Sequence, residues 1–458
     1  MGRYVDRVHD GVLGPEPYRA LVPHRIAGWR PKLSEKAAQR VKAAGDRMAA
    51  LAASLPQHPA LVWCLNRSEG IATSDVEGVS TTLRSLSLLE SLRAERDPDR
   101  QKRDRQALGA VRLAACAVAI GRKTTGPVRV SDLGEMHKQL FDGTTVLFKP
   151  GELRSDDIWI GPPGTAPAEA LYVAPPAEHV PALCEDLMDY VSSNDLEHPL
   201  AKAAIAHLQF ETIHPYPDGN GRVGRALIHC VLQRNWPTST PVPVSAAIAE
   251  HKQDYFTALR PYQTYTGDSD SEVRDACAEA SISFIADAAA VACDYAEAVG
   301  CAIADMLANW DSLGLRSHSA AAAILEAMAT MPAASIAYLA DATGRSPHSV
   351  RRGLRTLVSA GTVTESKDED TGRRVFEIPE LLHVVDHRQK LLQICWHSHQ
   401  TGLGLSAADL AVQWRLATDK DAANLQLPAP RSRCSHIGER SKVQCIQMTG
   451  HAPPHRYT

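Results

Sequence analysis

The sequence predicts a mostly α-helical protein, on three observations. Aromatic residues are only 5% of the 458-residue chain, whereas a sandwich or barrel needs β-branched and aromatic residues in alternation. Alanine-rich stretches with apolar residues at helical spacing recur along most of the sequence. One interior segment, from Glu152 to Pro176, reads instead as two short strands around a Pro/Gly-rich turn, a hairpin projecting from a helical body.

Composition narrows the class of function. With 44% hydrophobic and 22% charged residues the chain can bury a real core, and its length suggests two or three domains. A formal charge of −4 argues against a wholesale polyanion binder but permits a local basic patch. The first ten residues are charged with no apolar leader, and no stretch approaches the roughly 18 uninterrupted apolar residues of a membrane span, so a cytoplasmic protein with no membrane partner is expected. Eight of the ten cysteines, Cys64 through Cys395, show neither close pairing nor metal spacing, which suits a reducing compartment.

Helical periods run through Lys32 to Ser54, Ser80 to Ala94, Asp104 to Arg122, Val130 to Phe141, His179 to Ser192, Pro199 to Thr212, Gly221 to Asn235, Ala246 to Leu259 and Ser271 to Trp310. The hairpin strands fall at Asp157 to Gly161 and Ala170 to Ala174, and prolines 162, 163 and 167 block further ladder bonds on one side, leaving an exposed edge. Past Trp310 come three short helices, Ser319 to Thr330, Ser335 to Thr343 and Ser346 to Ala360, then a two-strand ribbon, which together make a winged helix. After about Ser398 periodicity fades, and Pro428-Ala429-Pro430 leads into a basic tail. The expected units are a helical N-terminal region (1–125), a catalytic core (126–260), a helical connector (261–315), the winged helix (316–385) and a C-terminal region (386–458).

Chemistry concentrates between His214 and Arg225, where twelve positions hold a His, an Asp, an Asn, three Gly and two Arg just before an apolar helical run. Three glycines let the backbone approach a ligand closely, and the helix that follows directs free N–H groups and its positive end into the loop, which describes a polyphosphate cradle. Arg222 and Arg225, three apart on that helix, can grip two phosphates with forked donors. Asp218 can hold Mg2+ between phosphates, and His214 can take a proton from an attacking hydroxyl.

This segment resembles the HxFx(D/E)GNGRxxR signature of the Fic family, with Tyr216 where the family usually has Phe. The resemblance covers roughly residues 30 to 260, because Pro150 to Arg154, Trp159 to Gly161 and Tyr172 to Pro176 are similar to the family's flap region. It implies a Fic helical bundle with a β-hairpin flap and transfer of AMP from ATP to a protein hydroxyl. His214 is then the general base and Asp218 the Mg2+ ligand. Asn220 with the amides of Gly219 and Gly221 forms the cradle, Arg222 contacts the polyphosphate, Arg225 contacts the γ-phosphate, and Tyr255, with Lys252 and Phe256, contacts adenine. Thr73-Ser-Asp-Val-Glu77-Gly78 resembles the family's inhibitory pattern (S/T)xxxE(G/N), placed here on a helix upstream of the core, which implies that Glu77 occupies Arg225 and repels the γ-phosphate. A target segment is expected to add as a strand to the flap edge.

Two C-terminal features stand apart from the core. Arg351, Arg352 and Arg355 give the third short helix the texture of a DNA recognition helix, with Arg373 and Arg374 on the wing, while Glu365, Asp368, Glu369 and Asp370 make that wing acidic and suit a protein partner instead. Cys434, Cys445, His451 and His455 offer four zinc-type ligands in the tail, although Pro453-Pro454 forbids a regular helix between the histidines and a basic tail is the plain alternative. The reading is therefore an auto-inhibited protein adenylyltransferase using ATP and Mg2+. Its partners are a target protein with an exposed hydroxyl side chain and DNA through the winged helix, with room for a homodimer and for Zn2+ in the tail. Other nucleotidyl or phosphoryl transfers, or AMP removal, belong to the same fold, and an ATP-sensing winged-helix transcriptional regulator is the alternative of a different class.

Overall fold

The computed structural model describes residues 2–418 apart from 12–13, 56–57, 93–96, 124–125, 163, 194–197, 237–241 and 269–271. The chain opens on a hairpin, β1 (Arg3–Gly11) and β2 (Gly14–Val22), paired antiparallel from Arg3 with Val22 to Gly11 with Gly14. This corrects the expectation of a purely helical region over 1–125. The hairpin does alternate: Val5, Arg7 and His9 are half-buried while Tyr4, Asp6 and Val8 face out. Two of the inward positions are polar, so the alternation never appears as alternating hydrophobicity.

Helices α1 (Glu35–Ser54), α2 (Pro59–Val76), α3 (Leu83–Leu92), α4 (Pro98–Gly121) and α5 (Val130–Phe141) follow. Helix α2 had no amphipathic signal because it is buried nearly all round, Arg67, Ser68, Glu69 and Ser74 included. Its buried carboxylate, Glu69, lies 2.7 Å from His229 Nε2 and accepts a 2.9 Å hydrogen bond from the Ser245 amide, tying α2 to the helices that carry those residues. The flap strands β3 (Trp159–Ile160) and β4 (Tyr172–Val173) are shorter than the sequence suggests but fall inside the expected segments.

The core continues with α6 (Val180–Ser192), α7 (Pro199–Ile213), α8 (Asn220–Asn235), α9 (Val244–Glu250) and α10 (Lys252–Gln263). Ala246 to Leu259 was expected as one helix; the chain instead leaves helical dihedrals at His251 (φ −127°, ψ 40°), seating that ring 4.5 Å from Trp396. Helix α11 (Glu272–Ser312) runs 41 residues, about 60 Å, and is the axis of the molecule, with α1, α7, α9 and α10 packed along it. By length and composition alone it could cross a membrane, with an 18-residue window of mean hydropathy 1.5, yet Ile282, Ile285, Val291 and Val299 are fully buried in the core.

The C-terminal part contains α12 (Ala320–Met328), β5 (Ala333–Ala334), α13 (Ile336–Thr343), α14 (Pro347–Ser359), β6 (Thr364–Lys367) and β7 (Arg374–Glu377), with sheet order β5-β7-β6. The three short helices and the β6–β7 ribbon fall in the order read from the sequence, and β5 is a strand that the sequence did not reveal. Three more helices, α15 (Pro379–Asp386), α16 (Arg388–Thr401) and α17 (Ala407–Thr418), extend regular structure past Ser398, and α16 packs on α9 and α11. The tail ligands Cys434, Cys445, His451 and His455 lie outside the described residues.

The β6–β7 ribbon leans against α3 and α4 along one side. Glu377 pairs with Arg84 of α3 at 2.8 Å, Asp370 with Arg100 of α4 at 3.4 Å, and Ser91 Oγ donates to the Ala333 carbonyl at 3.1 Å. Arg373 donates to the Leu92 carbonyl at 3.4 Å and Arg374 pairs with Glu365 across the ribbon at 3.0 Å, and both arginines remain exposed at the surface. Arg351, Arg352 and Arg355 on α14 are exposed as well.

Candidate active site

Helix α7 ends at Ile213, and the next residue, His214, takes a left-handed conformation (φ 51°, ψ 63°), the one non-glycine residue with positive φ among the described residues. Such a conformation costs on the order of 1–3 kcal/mol and persists only when its surroundings impose it. Arg154, from the turn before the flap, imposes it. Its Nε donates to the His214 carbonyl at 2.8 Å, Nη2 to the Pro175 carbonyl at 2.6 Å, Nη1 to the Asp156 carbonyl at 2.8 Å, and its own amide to the Pro215 carbonyl at 2.9 Å. Burial, with the Arg154 charge second, lowers the His214 imidazole to about 4 from its ordinary 6.5, so it is neutral at pH 7 and able to accept a proton.

The loop after His214 is clamped from within. Asn220 accepts from the Tyr216 amide (2.8 Å) and donates to the Tyr216 carbonyl (2.7 Å). Both ends of its amide are spent on the loop, so the side chain expected to cradle phosphate shapes the cradle instead. The fully buried Tyr216 ring stacks on His137 with centroids 4.0 Å apart, and its hydroxyl has no partner in the described structure. His137 accepts from the Gly151 amide (2.8 Å), which leaves Nε2–H to donate to the Asp218 carbonyl (3.1 Å).

Helix α8 starts immediately after Gly219, whose φ of +79° turns the chain so that the free amides of the first turn face the site. Arg222 is 4% exposed, and its Nε and Nη1 find no acceptor among the described residues. A buried guanidinium with unused donors beside a helix N-terminus calls for an anion. Asp218 stands at the mouth with its side chain 46% exposed and Oδ1 3.7 Å from Arg222 Nη2. Among the described residues no group of three or more His, Cys, Asp or Glu could hold a metal. A cation here would use the single Asp218 carboxylate and take its other oxygens from phosphate and water, a donor set that fits Mg2+.

A carboxylate sits over the first turn of α8. Glu77, the residue that caps α2, hydrogen-bonds Arg225 Nη2 through Oε1 at 2.6 Å, and one turn earlier Thr73 accepts from the same guanidinium through Oγ1 (2.8 Å) and its carbonyl (2.9 Å). The spacing of Thr73 and Glu77 thus places both on one helical face around one arginine, and Gly78, at φ +78°, lets the chain turn away. A Cβ on Gly221 would fall 2.1 Å from Glu77 Oε1, so that glycine makes room for an oxygen above the helix start. Burial favours the neutral form of Glu77, but the charge and hydrogen bond of Arg225 outweigh it and hold the carboxyl below its ordinary range.

Tyr255 is placed differently from expectation. It is 1% exposed, its hydroxyl lies 2.9 Å from His207 Nε2, and its ring forms the floor 6.0 Å beneath Arg225, leaving no open face for a base. Phe256, beside it, is 41% exposed, and Lys252 is also at the surface. The flap rises next to the loop, fastened by the Tyr172 hydroxyl to the Thr212 carbonyl. The N-terminal hairpin leans on the flap through Tyr18 to Asp157 (2.9 Å) and an edge-on contact of His9 with Trp159, and the two line an open surface groove.

The model of the Fic/DOC family matches residues 127–232, the span that contains the flap, the loop and α8. The chain carries a Fic domain. The domain is similar to the protein adenylyltransferase fic-1 of Caenorhabditis briggsae, 27% identical over 152 residues (33% of this chain and 27% of that protein). A probable protein adenylyltransferase of Aquifex aeolicus is 33% identical over 91 residues, 20% of this chain and 26% of the relative. The chain thus spans about a quarter of the length of these curated relatives. A Fic family protein from Desulfovibrio desulfuricans superposes with a TM-score of 0.46 at 23% identity, over 76% of this chain and 98% of that one.

Sequence reasoning assigned no role to Arg154, His137 or Glu211, which surround the Fic loop from behind. Arg154 lies in the quoted flap segment and so had a signal; His137 and Glu211 sit on helices and become visible only when the loop is packed against them.

Proposed function

We propose that the Fic domain of this chain is an auto-inhibited protein adenylyltransferase that moves AMP from ATP to a Ser, Thr or Tyr hydroxyl of a target protein or of the chain itself. The observation that carries this reading is the occupied anion site: Arg225, held by Glu77 and Thr73, beside Arg222 with unused donors at the start of α8. His214 takes the hydroxyl proton, the oxygen bonds to the α-phosphorus, and the bond from that phosphorus to the bridging oxygen of pyrophosphate breaks, its electron pair leaving with pyrophosphate. Arg222 and the first-turn amides of α8 bind the phosphate chain, and Arg225 binds the γ-phosphate once Glu77 has withdrawn. Mg2+ on Asp218, when bound, supplies charge neutralisation between phosphates. The names of the relatives, protein adenylyltransferases, support AMP as the transferred group.

The test is incubation of the purified chain and its Glu77→Gly variant with ATP labelled at the α- or γ-phosphate. Transfer of α-label alone is expected; γ-label on protein would replace this reading with phosphorylation.

A second role rests on a separate observation. Among the described residues Arg351, Arg352 and Arg355 have no carboxylate partner and stand exposed on α14, so this helix is the surface by which the module would meet duplex DNA.

A further inference from the structure

Behind the catalytic loop lies a row of buried polar groups that the reaction as written leaves unused. Glu211, on the last turn of α7, is 6% exposed, and its carboxyl sits between two imidazoles: Oε1 is 4.0 Å from His207 Nδ1 and Oε2 is 4.0 Å from His214 Nδ1. His207 Nδ1, Glu211 Oε1 and His214 Nδ1 are all buried and none makes a well-formed hydrogen bond among the described residues, the Gly224 and Glu211 carbonyls being the other acceptors that face the two imidazoles. Three buried polar atoms without well-formed hydrogen bonds in one row are costly in a finished core. Contacts of this kind are commonly long in an unliganded site and tighten when substrate binds. Space for the carboxyl is reserved from the other side, where a Cβ on Gly224 of α8 would fall 2.3 Å from Oε1.

Resting on the transfer reaction proposed above, we propose that Glu211 is a positioning residue for His214: its carboxylate accepts Nδ1–H, fixing the tautomer that leaves Nε2 free for the target's proton, and then stabilises the imidazolium. No atom is exchanged with Glu211, and the proton passes from target hydroxyl to Nε2 as before. His207, anchored to Tyr255 at 2.9 Å, holds the far side of the carboxyl.

The charge state of Glu211 makes this visible. Burial pushes its carboxyl up to about 8, against the pull of Arg225 on α8 and with the push of Glu77 at the end of α2; His207, His214, Tyr255 on α10 and Tyr172 on β4 complete its charged and titratable surroundings. A raised carboxyl is neutral below its pKa and ionised above it, so the stabilising carboxylate forms as pH rises through about 8, and somewhat lower once Glu77 is removed.

The experiment uses the full chain labelled with 15N-histidine, the His214 signals being identified by their loss in His214→Ala. In the Glu77→Gly background His214 should show its Nδ1–H tautomer and a shift step in the alkaline range near pH 8, and Glu211→Gln should lose that step. The same variant should lower kcat for α-label transfer at least about tenfold at pH 8.5 with little change in KM for ATP. Glu211→Asp, which keeps the acid, should retain the step and guards against a misfolded Gln variant. An identical His214 titration with Glu and Gln at 211, or a step missing from Glu211→Asp, overturns the assignment. If no variant transfers α-label but the step is present and lost in Glu211→Gln, the transfer reaction is wrong and the pairing stands.

Discussion

Glu77 and Arg225, 148 residues apart in the chain, meet through a 2.6 Å hydrogen bond at the start of α8, where Gly221 leaves space for the carboxylate. On the proposed reading, one negative group consumes a ligand for the γ-phosphate and repels that phosphate. Both penalties disappear with the carboxylate. Glu77→Gly should raise auto-modification from α-labelled ATP at least about tenfold, equal to about 1.4 kcal/mol, a modest demand on a charge-assisted pair. Glu77→Gln should act in the same direction, and Glu77→Gly with Arg225→Ala should lose the gain. Wild-type activity in Glu77→Gly at saturating ATP and magnesium would make Glu77 an ordinary helix-end carboxylate.

His214→Ala should abolish label transfer in the Glu77→Gly background while ATP affinity stays near its parent value, because no phosphate contact is lost. The pH dependence has a defined sign. His214 is lowered to about 4, so the neutral base is complete at pH 6 and is lost as pH falls through that lowered value. In Glu77→Gly with Glu211→Gln, where the Glu211 step is absent, the acid limb of kcat/KM should lie well below 6.5; a midpoint at or above 6.5 in that variant would place an exposed, unperturbed histidine in the role.

The signature from His214 to Arg225 and the Thr73 to Gly78 pattern were legible because each is local: the residues that meet share one loop or one helical face. Helix α2 was not legible as an amphipathic pattern, since it is enclosed on every side and its polar residues answer to partners such as His229 and Ser245. Asn220 and Tyr255 were read as ligand contacts because their positions suggest it; packing gives the Asn220 amide to Tyr216 and the Tyr255 hydroxyl to His207. The wing's acidity was visible but its recipients, Arg84 and Arg100, lie over 250 residues away. No local rule pairs such positions.

The segment bearing Glu77 is gripped at both ends by the C-terminal helices. Arg388 of α16, only 6% exposed, pairs with Asp75 in the last turn of α2, and Asp386 of α15 accepts from the Leu83 amide at 2.5 Å where α3 begins. Breaking a buried pair leaves an uncompensated charge and should loosen the end of α2 before the rest of the fold. Arg388→Ala should raise auto-modification about threefold or more in the otherwise wild-type chain and leave Glu77→Gly unchanged, since an absent carboxylate cannot be loosened further. Equal activity of Arg388→Ala and wild type would uncouple the C-terminal helices from the site.

The exposed arginines of α14 make a quantitative case for DNA. If Arg351, Arg352 and Arg355 each neutralise one phosphate, the logarithm of the duplex association constant should fall against the logarithm of salt with a slope near −2.7, about −0.9 for each contact. Replacing any one by Ala should weaken binding and reduce the slope magnitude by about 0.9. The measurement is fluorescence anisotropy of a labelled duplex with the full chain between 50 and 200 mM salt. A full chain that binds no duplex at the lowest salt, or one whose slope is insensitive to all three α14 arginines, removes DNA from the function of this face.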